Sequence, residues 1–186
     1  MNKIILCDTD DTTLHCADAL EDYIIKTFGV SPLRPLRDDY HVADAFGVSK
    51  EIAKEYCKDF WYSDTFFNLK PMECALEVIP RLYKNGYRFV AITACLNTDV
   101  VKSHRKQNLE NAFGIPWEDV HCTHGISKGD ILKLFSPTIW VEDHLENCKL
   151  GPIYGHKSFL LNRSYNQSDD DGIIRIKDWY DVEKLL

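Results

Sequence analysis

A chain of 186 residues, 45% hydrophobic and 27% charged, is long enough to bury a sizeable core, and its 9 Gly and 7 Pro are too few for a fibrous or low-complexity protein. A net charge of −7 with no basic block excludes a broad nucleic-acid-binding face, which needs clustered Lys and Arg. Small anionic ligands stay open, because a local lysine and a bound metal can override the global charge.

The seven cysteines (7, 16, 57, 74, 95, 122 and 148) include no C-x-x-C pair and are odd in number. They read as reduced, buried thiols of a cytoplasmic protein, not as a disulfide framework or zinc ribbon. The N-terminal apolar run Ile4-Ile5-Leu6-Cys7 is too short for a signal peptide, and no run approaches the roughly 18 residues of a membrane helix.

In chain order, short apolar runs alternate with amphipathic stretches. Runs at 3–7, 88–93, 120–122, 138–141 and 157–161 are predicted strands, with 173–176 a sixth. The stretches 14–28, 72–85, 98–113, 128–135, 145–150 and 178–186 are predicted helices. Asn97 is the expected N-cap of the third, Gly86 and Gly114 are expected stops, and Pro80 should bend the second. This rhythm specifies an α/β, Rossmann-like fold: a mostly parallel sheet with helices on both faces.

Residues 29–69 break the rhythm, having no strand-like run. Over 49–61, Ile52, Ala53, Tyr56, Cys57, Phe60 and Trp61 share one helical face. One domain is therefore expected over 1–186, with its core at about 1–28 and 70–186 and a small helical cap at about 29–69. The polar stretch 162–172, with its Asp169-Asp170-Asp171 run, is a long loop.

Chemistry concentrates at the strand ends. The first strand runs into Asp8-Thr9-Asp10-Asp11, and three carboxylates in four positions repel one another unless a cation compensates them. Oxygen-only ligands select a hard ion such as magnesium. Asp10 and Asp11 acting only as helix caps is the simpler alternative. The other strand ends weaken it: the second delivers the Thr93 hydroxyl and the Ala94 N–H, and the fourth delivers Glu142-Asp143. Lys128 opens a helix between them. The segment His121-Cys122-Thr123-His124 has metal-binding residue types but lacks a second cluster.

Acid pair, hydroxyl, lysine and acid pair, in that order, resemble the four motifs of the haloacid-dehalogenase superfamily of phosphatases across nearly the whole chain. The resemblance implies that Asp8 is the nucleophile and Asp10 the acid/base. It assigns phosphate binding to Thr93, Ala94 and Lys128. It implies a Mg2+ site made by Asp8, Asp10 through its carbonyl, and Asp143, with Glu142 in support. Two departures stand out: Asp11 replaces the glycine usual after D-x-D, and His15 stands where a further acid often lies.

Within the superfamily the chain is similar to the 5′(3′)-deoxyribonucleotidases. The likeness lies in Phe66-Phe67-Asn68-Leu69-Lys70-Pro71 and in Leu161-Asn162-Arg163-Ser164-Tyr165-Asn166. It implies a nucleoside monophosphate as substrate, with Trp61, Phe66 and Phe67 offering stacking surfaces. A sugar-phosphate or other small-metabolite phosphatase and a non-catalytic nucleotide-binding protein are the alternatives.

Overall fold

The computed structural model describes residues 3–168 and 172–186; the Asp169-Asp170-Asp171 part of the expected polar loop lies outside the described residues. Six strands form one all-parallel sheet: β1 (Lys3–Cys7), β2 (Tyr87–Thr93), β3 (Asp119–Cys122), β4 (Ile139–Glu142), β5 (Lys157–Leu161) and β6 (Ile173–Ile176). Their spatial order is β3-β2-β1-β4-β5-β6. The chain therefore winds outward from β1 in one direction, returns, and winds outward in the other. The reversal lies between β1 and β4, where such sheets open a crevice at their carboxyl ends.

Parallel strands buried on both faces read as apolar runs, as the inner strands do; the edge strands β3 and β6 are only half-buried and carry His121 and Arg175. Alternate residues face opposite layers. Ile5, Cys7, Phe89, Ala91, Val141 and Phe159 belong to the larger core layer. Leu6, Val90, Ile92 and Trp140 form the smaller one with Leu132. Register follows from this alternation: Leu6 pairs with Val90 and Trp140, and Cys7 with Ala91 and Val141.

The helices are α1 (Ala17–Phe28), α2 (Leu36–Asp39), α3 (Val42–Phe46), α4 (Lys50–Trp61), α5 (Asp64–Phe67), α6 (Glu73–Lys84), α7 (Asp99–Phe113), α8 (Gly129–Leu132), α9 (Leu145–Cys148), α10 (Leu150–Ile153) and α11 (Trp179–Leu185). A 3-10 turn spans Ser164–Asn166. Several differ from expectation. α1 starts three residues late, because residues 9–14 fold into a turn in which the Thr13 and Leu14 N–H groups both donate to the Thr9 carbonyl. The N-cap of α7 is Thr98 rather than Asn97; its hydroxyl accepts from the Val101 N–H at 3.3 Å. Pro80 leaves α6 continuous from Glu73 to Lys84. The helix expected at 128–135 shrinks to α8, with turns following it, and that at 145–150 divides into α9 and α10.

Residues 29–69 hold α2 to α5 and no strand. α4 lies on α1 through the Phe28 and Tyr56 rings, tilted at 32° with centroids 4.3 Å apart, and a Tyr23 hydroxyl donating to Asp59 at 2.6 Å. Phe60 and Phe66 carry this packing inward, to the buried side of α7. All seven cysteines are free thiols, five of them buried. Among the described residues, no helix is long and apolar enough to cross a membrane.

The tight joint between α10 and the sheet yields a stability prediction. A Cβ at Gly151 would collide with the Ser158 hydroxyl and come within 3.0 Å of Trp140. Gly151→Ala should cost about 1–3 kcal/mol in urea unfolding, as overpacking of a filled core does. Adding Ser158→Ala removes the colliding oxygen and should recover part of the loss. An unchanged midpoint in the single variant would contradict this packing.

Candidate active site

Asp8 directly follows β1, and its N–H donates to the Val141 carbonyl of β4 at 2.9 Å, so the carboxylate stands at the reversal point of the sheet. The next residues are braced from three sides. The Trp179 indole N–H donates to the Thr12 carbonyl at 2.8 Å, the Thr12 hydroxyl to Asp143 Oδ1 at 3.1 Å, and the Arg163 guanidinium to the Asp11 carbonyl at 2.5 Å. Asp11 takes φ +55°, a left-handed backbone that glycine adopts most readily and Asp tolerates. This accounts for Asp where the resemblance predicts glycine. Its carboxylate accepts from the Cys16 and Ala17 N–H groups at 3.0 and 3.1 Å, so it caps α1 as the simpler alternative held. His15 turns away to pair with Glu73 at 3.4 Å.

The centre of the site is Lys128. Its ammonium lies 2.8 Å from Asp8 Oδ1 and 2.9 Å from Glu142 Oε2, and all three side chains are buried. The other Glu142 oxygen accepts from the N–H groups of Asp143 and His144, at 3.2 and 3.0 Å. Glu142 is thus committed to holding the lysine and the following turn. Asp143 is held by Thr12 and by the Tyr165 hydroxyl, which donates to Oδ2. The Asn166 amide donates to the Asp143 carbonyl at 2.6 Å, so the Tyr-Asn loop is a brace on Asp143.

Asp10 points elsewhere. Arg105 of α7, fully buried, donates to Asp10 Oδ1 at 2.9 Å and stacks over Phe66, its guanidinium carbon 3.9 Å from the ring centroid. The Thr93 hydroxyl donates to the other Asp10 oxygen at 3.4 Å. Burial works against the Arg105 charge, but Asp10 together with the nearby Cys95, Cys16 and Cys122 side chains outweighs it and holds the guanidinium above its ordinary range. Arg105 was not singled out in the sequence. The only signal was a basic residue on the buried side of a helix, four positions after Val101 and four before Leu109.

The cavity they floor measures about 250 Å3, and there Asp8, Asp10, Ala94, Lys128 and Asp143 meet walls from α1, α4 and residues 36–42. Of the three aromatic residues expected in the pocket, Trp61 lines it; Phe60 and Tyr40 join it. Phe66 and Phe67 do not. Phe66 is fully buried between Phe60 and Arg105, and Phe67 packs on His104 with ring centroids 3.8 Å apart. Tyr40, like Asp11, has a positive φ, and its ring stacks on His144 at 4.4 Å beside the cavity. Both left-handed non-glycine residues therefore sit on the site, where backbone strain commonly collects.

Among the described residues, Asp8, Glu142 and Asp143 form the one group of three acid, His or Cys side chains close enough to share an ion, with ligand atoms within 4.8 Å of one another. One lysine against three buried carboxylates leaves excess negative charge, which fits a hard divalent cation. The Asp10 carboxylate is outside the trio, so only its carbonyl could join such a site. The His121–His124 segment disperses: His121 pairs with Asp119, Cys122 contacts Cys95, and His124 packs on Trp61.

Burial pushes the Asp8 carboxyl up to about 7, from an ordinary 3.8; Lys128 pulls it down, and Asp143 and Asp10 push it further up. Burial and the charge of Asp8 also hold Glu142 well above the carboxylate range. Burial pushes Lys128 toward the neutral amine, but Asp8 and Glu142 outweigh it and hold its pKa raised. An acid whose pKa rises on folding binds more protons folded than unfolded, so its ionisation opposes folding. Cation-free protein should therefore lose stability as pH rises from about 4 to about 7. Millimolar magnesium should offset that loss, raising Tm more at about pH 7.5 than at about pH 5. A Tm insensitive to magnesium at both pH values would show that the carboxylates do not hold the ion.

No family model matches the sequence, and no curated protein matches it. Its fold has many counterparts among solved structures. A haloacid-dehalogenase-like hydrolase of Streptococcus pneumoniae superposes with a TM-score of 0.68 at 13% identity, covering 99% of this chain and 98% of that one. CbbY of Rhodobacter sphaeroides, in complex with phosphate, gives 0.65 at 15% identity over 98% and 96%. The HAD-hydrolase YfnB of Bacillus subtilis, bound to magnesium, gives 0.61 at 12% identity over 100% and 98%. At such low identity the agreement bears on architecture alone. The chain has the haloacid-dehalogenase-like fold.

Proposed function

We propose that the protein is a magnesium-dependent phosphomonoesterase in which Asp8 is the phosphoryl acceptor. The observation carrying this reading is the Asp8–Lys128–Glu142 cluster beside Asp143, at the carboxyl end of the central strand and at the floor of a cavity. The fold counterparts that hold phosphate and magnesium lend support. Asp8, Asp143 and the Asp10 carbonyl would hold the ion, which supplies positive charge against the substrate phosphate and the Asp8 carboxylate.

The residues of the chain then have distinct tasks. Lys128, the Thr93 hydroxyl and the Ala94 N–H bind phosphate oxygens and neutralise charge as the phosphoryl group moves. An Asp8 oxygen forms a bond to phosphorus while the bond from phosphorus to the leaving oxygen breaks. Asp10 delivers a proton to that oxygen. It then takes a proton from the water that attacks the aspartyl phosphate, releasing inorganic phosphate and regenerating Asp8. Arg105 positions Asp10 for both transfers by fixing the direction of its carboxylate.

For the substrate we propose a nucleoside monophosphate, on the strength of the likeness to deoxyribonucleotidases and the Trp61, Phe60 and Tyr40 rings at the cavity. Flat apolar walls suit a base better than a polyhydroxylated sugar, whose hydroxyls would lose water without replacement. A sugar phosphate is the second reading, favoured by the placement of Phe66 and Phe67 away from the cavity, which reduces the stacking surface.

Phosphate release from nucleoside monophosphates, hexose phosphates and p-nitrophenyl phosphate, each with magnesium and with EDTA, tests both levels. Activity should depend on magnesium and be abolished by Asp8→Asn, which cannot form the acyl phosphate. Undiminished turnover in that variant would overturn the assignment of Asp8. Trp61→Ala should lower kcat/KM for nucleotides by about 5- to 150-fold, the usual worth of one stacked base, and p-nitrophenyl phosphate far less. Phe67→Ala, which removes a ring off the cavity, should not reproduce that selectivity. Equal losses on both substrates in Trp61→Ala would favour the sugar-phosphate reading.

A further inference from the structure

A second, larger cavity of about 770 Å3 adjoins the first and shares four of its wall residues: Tyr40, Val42, Cys57 and Trp61. A group bound at Asp8 with a leaving group longer than the first cavity can extend along these shared walls into the second. The far cavity differs in charge from the protein as a whole. Lys50, Lys54 and Lys58 of α4 all line it, and Asp44 is the one carboxylate on its wall. Its other side chains with nitrogen or oxygen atoms are Tyr40, His41, Trp61 and His124.

The lysines fall at i, i+4 and i+8, a spacing that aligns them along one helical face over about 12 Å of axis. That same face carries Cys57 and Trp61, so the helix turns its cationic row toward the far cavity, whose wall also takes the buried Ala53, while Phe60 belongs to the wall of the first cavity. All three lysines are exposed, and none forms an ion pair with a described residue, although Glu51, Glu55 and Asp59 stand next to them in sequence. Ordinary solvated helices close such charges by i,i+4 pairing. α1 and α6 do so, through Lys26–Asp22 and Arg81–Glu77. In a chain of net charge −7, three unpaired ammonium groups in one row beside the reactive centre form a local anion trap.

We propose that this row selects substrates whose leaving group carries a second anionic group, most simply a second phosphate, as in a nucleoside bisphosphate or a sugar bisphosphate. The proposal rests on the phosphomonoesterase reading and deepens it: the near cavity takes the phosphate that is cleaved, and the lysine row takes the one that is kept. Lys58, one helical turn from Trp61, is nearest to the shared wall in sequence; Lys54 and Lys50 extend the row away from it.

The test compares paired substrates on the whole protein with magnesium: adenosine 3′,5′-bisphosphate against adenosine 5′-monophosphate, and glucose 1,6-bisphosphate against glucose 6-phosphate. In at least one pair, kcat/KM for the bisphosphate should exceed that for the monophosphate by about 10-fold at low salt, the combined effect of three exposed charge contacts. The pair that responds identifies the base or the sugar as the spacer. The advantage should shrink as sodium chloride screens the row, and collapse toward parity in a Lys50→Gln/Lys54→Gln/Lys58→Gln variant. Turnover of p-nitrophenyl phosphate, which has no second anion, reports the phosphatase reading separately. If that substrate is hydrolysed and both pairs are at parity, the lysine proposal is wrong while the phosphatase reading stands. If no substrate is turned over, calorimetric titration of the same pairs decides: equal affinity within each pair overturns the proposal, and tighter bisphosphate binding lost in the triple variant upholds it.

Discussion

One buried ammonium organises this molecule. Lys128 lies within 3 Å of carboxylates from two adjacent strand ends, Asp8 after β1 and Glu142 of β4, and links them across the reversal point of the sheet. Buried ion pairs seldom stabilise a fold outright, because desolvation consumes most of the attraction. This one is also unbalanced, since Asp143 adds a third carboxylate to the same small volume. A bound cation would offset that excess of buried negative charge. The raised pKa of Asp8 and the expected response to magnesium are two consequences of that imbalance.

The surroundings are arranged to keep those charges in place. Parallel strands bring their carboxyl ends to one edge, so Asp8, Thr93 and Asp143 meet although they are far apart in sequence. Loops then restrain each group. Trp179 and Arg163 brace the turn after Asp8, Tyr165 and Asn166 brace Asp143, and Arg105 braces Asp10. Most of these donors come from the last quarter of the chain, so the turn at Ser164–Asn166 with the preceding Arg163, and α11, serve the site as well as the core.

The sequence made the sheet and the acidic strand ends readable for the same reason: strands covered on both faces must be apolar throughout, and they stop abruptly where polar chemistry begins. Features set by three-dimensional direction were harder to see. The start of α1 was misplaced because Asp11 takes a left-handed backbone and caps the helix from six residues before its first turn closes. Arg105 was overlooked because a basic residue on a helix usually faces water, and only the position of Asp10 across the layer explains its burial. The cap aromatics were placed together because they are close in sequence. The break between α4 and α5 instead sends Trp61 to the cavity, Phe66 into the core, and Phe67 onto His104. The lysine row of α4 was visible as spacing, but its meaning depended on a cavity that no periodicity reveals.

The central claim is that Asp8 accepts a phosphoryl group, and the most direct measurement looks for that group on Asp8. Asp10→Asn protein, impaired in the hydrolytic half-reaction, would be mixed with p-nitrophenyl phosphate and magnesium, quenched in acid, digested and analysed by mass spectrometry. The account predicts one phosphoryl group per chain on the peptide containing Asp8, lost on treatment with hydroxylamine and absent from the Asp8→Asn/Asp10→Asn double variant. Phosphate on a different residue, or hydrolysis proceeding with no phosphorylated peptide at all, would contradict it.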